Sequence, residues 1–197
     1  MRPIKSSLTL RILLLVFVLA ASSWHAVAQT ATPSPRITQA IDEKSLVTLW
    51  GNVHPLARAE FDQGLVAHAQ PLKRMLLLLR RSPDQEAALQ QLLEDQQNKS
   101  SANYHAWLAP DQFGKQFGPA DADIQTVTQW LTSHGFTDIK VGPGRTVIEF
   151  SGNVSQVRDA FHTEIHRYIV ESKDYSANSV DPQIPSALAP VVAGIVS

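Results

Sequence analysis

Met75-Leu76-Leu77-Leu78-Leu79 is the stretch of this chain with the least conformational freedom. Five apolar residues sit between Lys73-Arg74 and Arg80-Arg81, and a helix start follows at once. So short a run, closed by charges on both sides, fits a central buried strand better than a buried helix. Leucine is a modest strand former, so length and flanks carry the assignment. Ser82 is placed to cap the helix, Pro83 to sit in its first position and Gln85 to complete a capping box. Leu89, Leu92, Leu93 and Gln96 then line one helical face.

The same reading extends to the C-terminal half. Asp121 or Asp123 opens a second helix, in which Ile124, Val127 and Leu131 recur at helical spacing before Gly135 stops it. Phe136–Val141, Gly142-Pro143-Gly144 and Arg145–Phe150 read as strand, turn and strand. Asn153 caps a third helix carrying Val154, Val157 and Phe161, and Ile165–Val170 is the expected fourth strand. The order β-α-α-β-β-α-β predicts an α+β fold: a ferredoxin-like antiparallel sheet (split βαβ) with helices on one face.

Before this core the character changes. Arg2, Lys5 and Arg11 precede the unbroken apolar run Ile12–Ala21, and Ala26-Val27-Ala28 supplies small residues for a signal peptidase. Ten apolar residues are too few to span a bilayer comfortably. Residues 1–28 are therefore expected to be a signal peptide cut between Ala28 and Gln29, with a secreted or periplasmic product. Residues 29–53 read as a flexible leader or an ordered arm, with a short strand near Leu46–Trp50, and 54–174 as the core. Residues 175–197 hold Pro182, Pro185 and Pro190 and one charged side chain, Asp181, and read as a linker.

Composition narrows the chemistry. There is no cysteine, which excludes disulfides, thiolate metal sites and a cysteine nucleophile. The net charge is −1, and loss of the leader removes three basic residues and no acid, which disfavours nucleic acid as a partner. His162 and His166 are spaced for a helical metal pair, but a third ligand is missing and no metal site is expected. Gly142-Pro143-Gly144-Arg145 lacks the ending of a phosphate loop, and Ser151-Gly152 is half of a nucleophile elbow at best. No catalytic residue is assigned, and the chain is not expected to be an enzyme. Tyr104, Trp107, Phe113 and Phe117 crowd one loop-rich stretch, where aromatics serve local packing or a partner surface.

Tyr104-His105-Ala106-Trp107-Leu108-Ala109-Pro110-Asp111-Gln112-Phe113-Gly114 resembles the YHxWLTPxQFG block of the sedolisin (kumamolisin-type) propeptide, with Ala109 where that family often has threonine. Further similar blocks follow the family's order. They are His54–Ala57, Met75–Arg81, Trp130-Leu131 with His134–Phe136, Ile148–Gly152, Ala160–Tyr168 and Asp181–Ala189. The resemblance implies the activation prodomain of an acid-acting serine-carboxyl peptidase, with the ferredoxin-like sheet and one-sided helices of subtilisin-type prodomains. Such a prodomain assists folding of the catalytic domain, covers its cleft and leaves at low pH. It also implies that the catalytic Glu, Asp and Ser and the calcium site lie in a catalytic domain absent here, so no cofactor is expected in this chain. The implied partner is that peptidase domain, in cis or in trans. Tyr104, Trp107 and Phe113 are the candidate interface anchors. His105 and His162, beside aromatic or apolar neighbours, are the candidate pH sensors. The alternative reading is a stand-alone ferredoxin-like module for a ligand or another protein.

Overall fold

A computed structural model describes residues 32–196, so the expected signal peptide and its Ala28–Gln29 cleavage point lie outside the described residues. The predicted buried strand forms as β3 (Pro71–Leu79), and the other eight strands are arranged around it in three antiparallel sheets. The largest has the order β4-β5-β3-β9, with β4 at Thr137–Val141, β5 at Val147–Asn153 and β9 at Val192–Val196. A second is β2-β6-β7, from Asp62–Leu65, Ile165–Val170 and Lys173–Asn178. β1 (Leu46–Thr48) and β8 (Gln183–Pro185) make the third.

Register decides which side chains enter the core. Met75 pairs with Phe150 and Leu77 with Ile148, and all four are buried. Helices α3 (Asp121–Ser133) and α4 (Val154–Phe161) add Ile124, Val127, Trp130, Leu131, Val157 and Phe161 to the same cluster. The pleat sends Leu76, Leu78, Val147 and Glu149 to the opposite face, where they are half-buried. A bulge between Leu72 and Met75 accommodates Arg74 in the left-handed region, at φ 59°.

Helix ends follow the sequence signals. α1 (Pro83–Gln97) starts with a complete capping box: Gln85 N–H donates to Ser82 Oγ (3.2 Å) and Ser82 N–H to Gln85 Oε1 (2.9 Å). Asn153 and Gln156 repeat it at the start of α4. α2 (Pro110–Phe117) has half a box, because Ala109 offers no side-chain acceptor and only Gln112 Oε1 reaches back to the Ala109 N–H (2.9 Å). Gly135, at φ 79°, ends α3 where a side chain would be strained.

Two expectations are corrected, and one open alternative is resolved. Ile165–Val170 is a strand, but it is not the fourth strand of the main sheet; Val192–Val196 takes that place beside β3. β6 instead pairs with β2 and with β7, to which a two-residue turn of left-handed Glu171 and Ser172 joins it. That turn makes β7 a local partner of β6, while the charge-free Val-Ala-Gly-Ile-Val run suits the largely buried edge of the main sheet. For the same reason 175–197 is not a linker. Through residue 196 it is woven into all three sheets as the end of β7, β8 and β9. The stretch from Arg36 to Trp50 is the ordered arm rather than a flexible leader. Asp123, buried at the start of α3, accepts the N–H groups of Arg36 and Ile37 (both 2.9 Å), and β1 pairs with β8.

Candidate functional site

The aromatic stretch between α1 and α2 is held by backbone bonds. His105 N–H donates to Gln96 O (3.2 Å), and Gln96 Nε2 donates to Ala106 O (2.6 Å). This places Tyr104, His105 and Trp107 in a stack, with ring centroids 3.8 Å apart for the first pair and 5.9 Å for the second. Trp107 is 66% exposed and Tyr104 is half-buried. Phe113 belongs to a different environment. It packs on Phe117 at 5.4 Å, and the Arg81 guanidinium lies 5.6 Å from its ring. Of the three candidate anchors, Trp107 projects to solvent while Phe113 helps fasten α2 to the body.

His105 and His162 are both exposed and lie on separate elements. His162 ends α4 in a left-handed conformation, φ 51°, whereas His166 is on β6, so the two do not share a helical face. Among the described residues, no three His, Asp or Glu side chains gather as metal ligands. Ser151 lies within β5, and its Oγ accepts the Arg74 N–H at 3.4 Å.

The structure also forms two histidine–carboxylate contacts with no sequence signal, because their partners are about a hundred positions apart. His166 Nδ1 meets Asp62 Oδ2 at 2.8 Å and ties β6 to β2. His134 Nε2 meets Glu43 Oε1 at 3.3 Å, and Trp130 Nε1 donates to the same oxygen at 3.0 Å, which fastens the N-terminal arm to α3. The Gly64 N–H, 2.7 Å from Asp62 Oδ1, holds the Asp62 carboxyl below its usual range, and His166 adds to the effect. Burial pushes the neighbouring Tyr168 phenol up, and the Asp62 charge reinforces it.

One feature suited to a partner is the sheet face opposite the helices. Leu76 and Leu78 form its apolar centre. Arg74 and Glu149, paired at 3.4 Å, lie beside them, and Lys140 is cross-strand from Glu149. Apolar side chains ringed by a few charges are the usual composition of a docking surface.

Xanthomonalisin of Xanthomonas sp. (strain T-22) is 29% identical over 203 residues, covering 98% of this chain and 24% of the relative. Sedolisin of Pseudomonas sp. (strain 101) is 33% identical over 111 residues, covering 56% of this chain and 19% of the relative. The chain thus spans no more than about a quarter of either relative. A family model described as "Pro-kumamolisin, activation domain" matches residues 61–197, from the turn before β2 through the main-sheet strand β9. The chain belongs to the pro-kumamolisin activation domain family.

Proposed function

We propose that this chain is the activation prodomain of a secreted, acid-acting sedolisin-type peptidase. It assists folding of the catalytic domain, inhibits it, and is released at low pH. The family match over 61–197 carries this reading, and the partly exposed sheet face away from the helices gives it a physical form. A stable interface usually buries about 1,200–2,000 Å² in total. A four-stranded sheet with the half-buried Leu76 and Leu78 at the centre of the face away from the helices offers part of such a surface. The Arg74–Glu149 pair at its margin, with Arg74 exposed and Glu149 half-buried, supports orientation more than affinity. Trp107 is the second proposed contact, since an exposed tryptophan held by a stacked loop can anchor at small entropic cost. Residues 1–28 direct export.

The test uses the chain beginning at Gln29, mixed with mature xanthomonalisin and mature sedolisin. Inhibition of at least one enzyme near neutral pH is expected, fading toward pH 3. Leu76→Glu weakens it while the thermal transition remains cooperative. No inhibition of either enzyme and no gain in its refolding yield, at any pH, overturns the proposal.

A further inference from the structure

A cleft of about 780 Å³ opens beside the main sheet. It is lined by β3 and β9, the end of α4, the β6–β7 hairpin and the loop 51–57. Met75 and Phe161 are among its buried walls, and Leu56, Tyr175 and Val196 are exposed at its rim. Trp50, 81% exposed, immediately precedes the lining loop. Exposed apolar groups clustered around one opening mark a surface meant to be covered.

The chemistry of the lining selects the occupant. None of its 25 residues is Asp, Glu, Lys or Arg, although such residues make up 18% of the chain. Depletion of charge is the signature of an interface centre. Four of its seven polar side chains are already engaged. Asn52 Oδ1 accepts the Ile195 N–H (2.8 Å), and Asn178 Nδ2 donates to Asn52 O (3.1 Å). Thr163 Oγ1 donates to Val180 O (2.8 Å), and His54 Nδ1 accepts the Leu56 N–H (3.1 Å). A site for an oriented small ligand keeps a few convergent polar groups available, and here four of the seven are turned into the protein. The cleft is also continuous with the proposed docking face. Leu78, Gly194 and Val196 line the cleft, and Leu78 pairs with Gly194 across the sheet on the side opposite the helices.

We infer that this cleft receives an apolar segment of the peptidase domain, as the deep end of the same interface; the inference rests on the inhibitory-prodomain reading. Asn52 acts here as a positioning residue. Its side chain closes the outer edge of β9 at Ile195 and holds the loop 51–57 against that strand, which keeps the cleft open in the free chain.

The experiment compares inhibition constants against mature xanthomonalisin and sedolisin for wild type, Leu56→Lys, Tyr175→Lys and Leu93→Lys. All three positions are exposed, so a charge is compatible with folding, and Leu93 lies on α1 outside the cleft lining. Thermal transitions check each variant, and Tyr175→Ser replaces any lysine variant that melts early. Leu56→Lys and Tyr175→Lys should each weaken inhibition by about 30-fold or more, the loss typical of an interface anchor, with Leu93→Lys unchanged. If both rim variants inhibit like wild type while Leu76→Glu is impaired, the cleft inference falls and sheet docking stands. If wild type inhibits neither enzyme, the cleft inference falls with the inhibitory part of the reading, and a gain in refolding yield decides whether the prodomain reading stands.

Discussion

Single residues reveal where this fold is taut and where it has slack. Ala109 leaves the start of α2 with half a capping box, since Gln112 reaches back but nothing accepts in return. Ala109→Thr should supply the missing acceptor and stabilise the domain by about 1 kcal/mol, seen as a rise of about 2–4 °C in the thermal midpoint. No rise would show that the missing acceptor costs the helix nothing. Gly114 is taut for a different reason. A Cβ there would run into the carbonyl oxygen of Pro143, and at Gly118 it would meet Arg145 Cβ at 2.5 Å. The hairpin turn 142–145 therefore rests directly on α2, with Arg145 at φ 52° paired to Asp121. The backbone carbonyl cannot swing aside as a flexible side chain would. Gly114→Ala should destabilise the protein by about 1–3 kcal/mol in a chemical denaturation curve, and a neutral result would mean that the turn slides freely on the helix.

At the scale of elements, the cross-links between segments distant in sequence are what acid acts on. Asp62 joins β2 to β6 through His166, and the Gly64 N–H helps keep its carboxyl below the usual range. A carboxyl whose native pKa is lowered binds fewer protons in the folded than in the unfolded state. Its contribution is complete above the ordinary value of about 3.9 and is lost as pH falls through the depressed native value. Asp174, held low by Arg167 on the neighbouring strand β6, and Glu86, held low by Arg81, follow the same sign. Unfolding free energies measured from pH 7 down to about 2 should separate wild type from Asp62→Asn at the upper end and converge at the lower. A separation independent of pH would remove the charge from the explanation. Among the described residues, the two exposed histidines selected for their neighbours, His105 and His162, contact no carboxylate within ion-pair distance, whereas His134 and His166 do.

For the whole molecule, the expected route is export followed by docking onto a peptidase domain. Among the described residues, no helix is long and apolar enough to cross a membrane. The leader predicts that material recovered outside the cytosol begins at Gln29, and N-terminal sequencing that finds Met1 intact there would refute the signal assignment. By itself the sequence determined the local elements. The strand 75–79, the capping boxes at Ser82 and Asn153, the glycine stop after α3 and the hairpin at 142–145 each depend on residues within a few positions. The resemblance in the blocks from His54 to Ala189 also identified the family from residue order alone. Tertiary structure decided which strands became neighbours. Two segments, 165–170 and 192–196, were available for the free side of β3, and the absence of charge in the second favours it without fixing the pairing. The tight turn at Glu171–Ser172 gives β6 a partner of its own, and the charge-free tail is left to close the main sheet. The cleft, the Asp62–His166 tie and the arm held by Asp123 likewise follow from pairings across about ninety or more positions, which exist only once the sheets have assembled.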